Sequence, residues 1–433
     1  MKKNYLKLNV WAMAACMGLF SLASCSDDNN GGNGGGNGEE EIVLEDGATL
    51  NGTVTNGQTV RLSEGYSFQL SGGYTVENGG TLIIEPGVTV TAVRDDNPDY
   101  ILIAQGGYID AQGTAENPIV MTANLNGGEL RNAGWGGIHI CGRSHTNRGS
   151  GTLSEIGESP YGGTDEADNS GILKYIRLEY TGFALDLEHE ANGLSLYGVG
   201  SGTTIDHIAI YKGGDDGIEF FGGSVNLKYA VVIDCEDDSY DWTEGWNGQA
   251  QFLVASQTGT TGAADNGDCL MECDNNGENA ALTPVSHPIL SNLTLIGNNS
   301  TEGSRGIRLR AGTEVEIYNS LIVGKPRSIT IETPETDASF TRTENPSVLE
   351  YIACSGSFAD ATTDEYTATY TEDLFLAANN ELNATIPSFT DGIVGTVDSG
   401  IDPSTLGSFF EAASYKGAVA ANATWTAGSW IRK

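Results

Sequence analysis

The sequence predicts an all-β solenoid, with short strands wound into successive coils and a cap at each end. Three observations lead there. The phrase Asp215-Asp216-Gly217-Ile218-Glu219-Phe220 returns as Asp237-Asp238-Ser239-Tyr240-Asp241-Trp242 at an offset of 22 residues. A fixed offset with one short strand per phrase marks a repeat that stacks on its neighbours. Within each phrase apolar residues flank a single acid, which is strand alternation and not helix periodicity. Fifty-nine glycines against eleven prolines, without a Gly-X-Y period, supply many tight turns.

The first 41 residues read as an address and a tether. Lys2, Lys3 and Lys7 precede an apolar run from Val10 to Leu22, which is short for a membrane span but right for an export signal over 1–24. Leu22-Ala23-Ser24-Cys25 resembles the lipobox of bacterial lipoproteins, which implies lipidation of Cys25. Ser26-Asp27-Asp28 resembles the acidic tag that sends such proteins to the outer face of the outer membrane. Residues 25–41, rich in Gly, Asn and acids, form a flexible linker. The membrane is then met through a lipid anchor only.

From residue 42 to 99 short alternating strands (Thr59–Leu62, Ser67–Leu70, Thr81–Val90) make the opening coils and the N-terminal β cap. Residues 100–356 carry the repeats. One strand family includes Ile101–Ala104, Gly137–Ile140, Gly193–Leu196, Gly217–Phe220, Ser239–Trp242, Leu270–Cys273, Gly306–Leu309 and Ser328–Ile331. Its central outward position runs His139, Ser195, Glu219, Asp241, Glu272, Arg308, Thr330. A second family has Tyr175, His207, Tyr229, Asn292, Asn319 and Tyr351 at its third position, a column suited to coil corners. His207 is read as one of these corner residues. Two polar insertions, 143–171 and 245–287, are expected as loops on the binding side. A short helix over 371–377 and a closing segment over 415–433 belong to a C-terminal capping region, 357–433, that covers the last coil.

A formal charge of −37, from 58 acidic and 21 basic residues, disfavours nucleic acid and anionic membrane as partners and draws cations. Five cysteines remain after the signal and the lipidated residue are set aside; their spacing makes no disulfide framework, although one or two bridges can form.

The candidate site lies on the outward column. Glu219 and Asp241, one coil apart, would sit about 4.8 Å from each other. Two carboxylates that close hold a proton, recruit a cation or lean on a base such as Arg308. Asp215, Asp216, Glu219, Asp237, Asp238 and Asp241 offer only hard oxygen donors, which points to calcium. The alternative is that the paired aspartates bond turn amides. Glu219, Asp241, Trp246 and Arg308 are the ligand-binding candidates; Trp246 either stacks on a sugar ring or is buried beneath the insertion. Trp242 alternates inward, to the core.

Gly106-Gly107-Tyr108-Ile109-Asp110-Ala111, Asn117-Pro118-Ile119-Val120, Trp135-Gly136-Gly137-Ile138 and the Asp215–Gly223 phrase together resemble a group of pectate-lyase-like surface lipoproteins. The resemblance spans residues 80 to 433 and implies a right-handed parallel β-helix. Polygalacturonase-like hydrolases on this fold carry Gly-Asp-Asp, which Gly214-Asp215-Asp216 matches. They also carry Gly-His-Gly, absent here, and Arg-x-Lys, which only Arg308-Leu309-Arg310 approaches. Lyases of the fold need a basic residue as proton acceptor, and Arg is a poor one. The expected function is therefore binding of a glycan or cell-surface ligand. A polysaccharide lyase or glycoside hydrolase is the first alternative, and a purely structural surface protein the second.

Overall fold

The computed structural model describes residues 40–93, 98–125, 134–183, 191–258, 267–299 and 305–432. The expected signal, Cys25 and nearly all of the linker lie outside them. Among the described residues no helix is long and apolar enough to cross a membrane.

Among the described residues twenty-four strands join one sheet that winds on itself, and its strands pair in parallel. It is a right-handed parallel β-helix. Inward and outward positions alternate as the sequence requires: Thr81–Ile84 and Thr89–Ala92 each bury every second residue. Leu, Ile, Val and aromatic side chains from all coils fill one continuous core. Among the described residues the first coil strand is Glu40–Leu44, paired to Gln58–Leu62.

The first face contains Tyr100–Ile103, Ile138–Cys141, Leu194–Tyr197, Ile218–Phe221, Tyr240–Thr243, Met271–Cys273, Arg305–Leu309 and Arg327–Ile331. Each pairs with the next. The expected register of Glu272, level with Asp241 and Arg308, is observed.

The second family is longer than one face. Gly171–Glu179, Thr204–Tyr211, Asn226–Ile233, Gln249–Ser256, Ile289–Ile296, Glu316–Val323 and Val348–Cys354 each bend midway at a residue of positive φ. Those residues are Tyr175, His207, Tyr229, Phe252, Asn292, Asn319 and Tyr351. The two arms of Gly171–Glu179 pair with different strands, Tyr108–Gln112 and Ile119–Ala123, so each bent strand serves two faces. Left-handed backbone costs an L-residue about 1–2 kcal/mol. Ring stacking offsets it: Tyr175 lies 4.1 Å from His207, His207 4.5 Å from Tyr229, and Tyr229 5.2 Å from Phe252. Farther along, Asn292 donates to the carbonyls of Ala413 and Tyr415, and Asn319 to that of Ile401. His207 is a corner residue.

Three expectations need correction. Residues 245–287 are not one insertion, because Gln249–Ser256 is a regular coil strand between Asn226–Ile233 and Ile289–Ile296. No bridge joins Cys141, Cys235, Cys269, Cys273 and Cys354; all five are free and buried. The final segment does not cover the last coil. That end is closed by Phe340, Phe358, Tyr370 and Phe375, carried in part by the helices Pro334–Thr341 and Glu372–Ala377. The segment after them runs back along the side of the solenoid. There Ile393, Val419, Trp430 and Ile431 bury Ala209, Val231, Ile233 and Val254, apolar residues that point outward from bent strands. Ser429 N–H donates to the Ala115 carbonyl, far back along the array.

Candidate functional site

Two outward columns run along the first face. In one, His139, Ser195, Glu219, Asp241, Glu272, Arg308 and Thr330 lie level in successive strands. Two residues along each strand, the second column begins with Cys141, Tyr197, Phe221 and Thr243. It continues through Asp274, Arg310 and Glu332, each one residue past the paired Cys273, Leu309 and Ile331. The second column is thus apolar early and charged late.

The insertion that precedes Gly171 roofs the apolar part. Its Tyr161 ring lies 5.1 Å from Tyr197, in a buried cluster with Leu102, Cys141 and Phe221. Polar ties hold the roof down, three of them from Tyr161, His145 and Asn147. Tyr161 Oη donates to Glu244 Oε2 at 2.7 Å, His145 Nε2 meets the Gly245 carbonyl at 2.7 Å, and Asn147 Nδ2 donates to Asn275 Oδ1 at 2.9 Å. His139, between the Tyr100 and Tyr197 rings, is fully buried, and burial lowers its imidazole to about 4. That histidine stays neutral.

Beside the roof lies the acidic cluster. One oxygen each of Asp216, Glu219 and Asp241 lie within 4.8 Å of one another, and so do those of Asp215, Asp216 and Asp237. Burial first, and neighbouring carboxylates second, push Asp216, Glu219, Asp238 and Asp241 well above the usual carboxylate range. Some oxygens serve the turns: Asp216 Oδ1 accepts from Asp238 N–H at 2.8 Å, and Asp238 Oδ1 from Cys269 N–H at 2.5 Å. Asn192 Nδ2 donates to Glu219 Oε2 at 2.6 Å. Asp241 Oδ1, by contrast, is buried with no hydrogen-bond partner. An acceptor left so costs about 1–3 kcal/mol. The trio can hold a hard cation, and the orphaned oxygen is the atom that would gain most.

Past the roof the columns open into a cleft of about 520 Å³ lined by Asp274, Asn276, Arg308, Arg310, Glu332 and Thr333 among others. Charges alternate through it. Arg308 bonds Glu272 at 2.8 Å and Glu332 at 3.0 Å, while Arg310 bonds Asp274 at 2.8 Å and also pairs with Glu272. Burial works against both guanidinium charges, but the carboxylates prevail and raise both groups above the usual arginine range.

The sequence-derived candidates thus fall into three places. Asp215, Asp216, Glu219, Asp237, Asp238 and Asp241 share the acidic cluster. Arg308 lines the open cleft, two strands on from Asp241. Trp246 is a correction: it is 1% exposed, stacks on Phe220 at 3.9 Å and donates Nε1–H to the Val225 carbonyl, so no sugar ring can reach it. Trp242 is also core, as expected. Asn192, Asp274, Arg310 and Glu332 were not anticipated. Alternation held the signal for three of them, since each sits two residues beyond a column member, Glu272, Arg308 or Thr330.

No curated protein and no solved structure matches the chain. Residues 52–397 match the model of a family described as a pectate-lyase like beta helix domain. That match covers most of the sequence and both outward columns, and the chain belongs to the pectate-lyase-like β-helix family.

Proposed function

We propose that the chain is a lipid-anchored surface β-helix of the outer membrane that binds a glycan or another cell-surface ligand at the open end of its first face. The cleft around Arg308 carries this reading. Its carboxylates and guanidiniums are already paired, so hydroxyl groups of a ligand can bridge between them without leaving any charge bare. Neither arginine is poised to take a proton, because the neighbouring carboxylates hold both protonated. The Gly214-Asp215-Asp216 phrase belongs to the acidic cluster and does not line the cleft. A glycan array probed with wild type and with Arg308→Met tests the site. The reading expects selective binding that the variant loses; equal binding by both would remove it.

Calcium belongs to the same reading. Asp216, Glu219 and Asp241 would hold it, and the ion would supply positive charge where three carboxyls crowd.

One observation favours a second reading, a glycoside hydrolase. Burial raises Asp274, whereas Glu332, despite burial, is brought below its usual range by Arg308 and Arg305. Two carboxyls driven apart in one cleft is the pattern of a general acid and its partner. Release of new reducing ends would establish this reading over the first.

A further inference from the structure

We infer that the first face carries a second binding site, for an uncharged pyranose, at its opposite end, in the cleft beside Tyr100. The inference shares the glycan class of the reading above but neither its site nor its chemistry.

The cleft has a volume of about 450 Å³, enough for one or two sugar rings, and lies where Thr49–Val54, Ser67–Val76 and Tyr100–Ile103 run side by side. Asn51, Ser71, Gly73, Pro98, Tyr100 and Gly157 line it, and among the described residues no lining side chain is charged. The Tyr100 ring lies directly over the backbone of Gly73: a Cβ there would come within 2.5 Å of it. At Gly136 a Cβ would lie 3.0 Å from Tyr100 Cβ, and at Gly157 one would lie 3.4 Å from the hydroxyl. Gly73 and Gly157 thus lie against the ring and Gly136 against its Cβ, with the His139 ring perpendicular to it at a centroid distance of 6.3 Å.

The polar rim is built as well. Asp99, itself buried, accepts the Gly72 N–H at 2.6 Å and fixes the Gly72 turn at φ 73°. Asn51 Nδ2 donates to the Ser71 carbonyl at 2.9 Å across the irregular pairing between Leu50 and Gly52. A phenol ring, a carboxamide, a hydroxyl and open backbone match the apolar face and equatorial hydroxyls of a sugar. The charge of −37 repels uronates and leaves neutral sugars as the fitting class.

Calorimetric titration of the full chain with cellobiose, lactose and maltose, with digalacturonate as the anionic control, tests the inference. At least one neutral disaccharide should bind. Asn51→Ala and Tyr100→Leu should each weaken it by about tenfold or more. Asn51 is exposed, so its variant decides the matter even where Tyr100→Leu lowers the melting temperature. Absence of neutral binding, preference for digalacturonate, or binding that survives Asn51→Ala would overturn the inference. Loss through Arg308→Met alone would also overturn it, while supporting the cleft reading.

Discussion

Glu219 and Asp241 stand level with one another in adjacent parallel strands, outward from the core and one coil apart. At a strand spacing of about 4.8 Å, two full charges would repel by about 3 kcal/mol at an effective dielectric near 20. The cluster answers by retaining protons.

Calcium should raise the melting temperature and chelation should lower it. The double substitution Glu219→Gln/Asp241→Asn should melt higher than metal-free wild type and lose the calcium response. A calcium shift that persists in the double variant would place the ion elsewhere.

The same cluster sets an unusual pH profile. Asp216, Glu219, Asp238 and Asp241 bind protons more tightly folded than unfolded. Their contribution is fully present below the unfolded carboxylate values of about 4 and turns unfavourable as pH rises from there through the raised folded values. Metal-free protein should therefore gain stability when acidified from neutral pH toward 5. Chemical denaturation across that range checks the slope, which Glu219→Gln/Asp241→Asn should flatten.

His287 adds a separate term. Burial opposes its charge, but Glu314 and Glu316 raise it from 6.5 to about 8. Its stabilisation is complete below 6.5 and is lost as pH rises through 8. The full effect is about 2 kcal/mol. His287→Gln should remove the slope in that window, while the acidic variants leave it in place.

Trp246 and Trp430 should behave as core residues. Each is fully buried, one on Phe220 inside the solenoid and one beside His207 in the returning segment. Replacing either with Ala should cost about 3–5 kcal/mol, read by denaturant unfolding. The Trp246 variant, if folded, should keep ligand binding.

Much of this was legible because a solenoid repeats its reasons. Glu219, Asp241, Glu272 and Arg308 could be set in one column because an inward residue on each side fixes the register. The corner positions Tyr175, His207 and Tyr229 were visible for the same reason. Gln249–Ser256 was hidden, since Phe252 stands at the corner of a Gln- and Ala-bearing strand flanked by Gly-rich loops. The fate of Trp246 and the return of residues 393–431 depend on contacts far away in sequence, with Phe220 and with Ala209, Val231 and Val254. No local pattern encodes those. The cleft was half visible: Arg308 stood in the column, but where the roof ends is set by Asn147 reaching Asn275.

Lipidation is tested apart from the fold. Cys25→Ala should release the protein from membranes and abolish palmitate labelling. Labelled, membrane-bound variant would refute the anchor.

The central claim is that the first face holds a ligand and leaves it intact. The most direct measurement incubates a glycan identified by the array with the full chain and follows reducing ends and unsaturated products together. The account predicts saturable binding, weakened by Arg308→Met, with neither product above the background of glycan alone. Steady release of either product, abolished by Asp274→Asn or Glu332→Gln, would contradict it and make the cleft an active site.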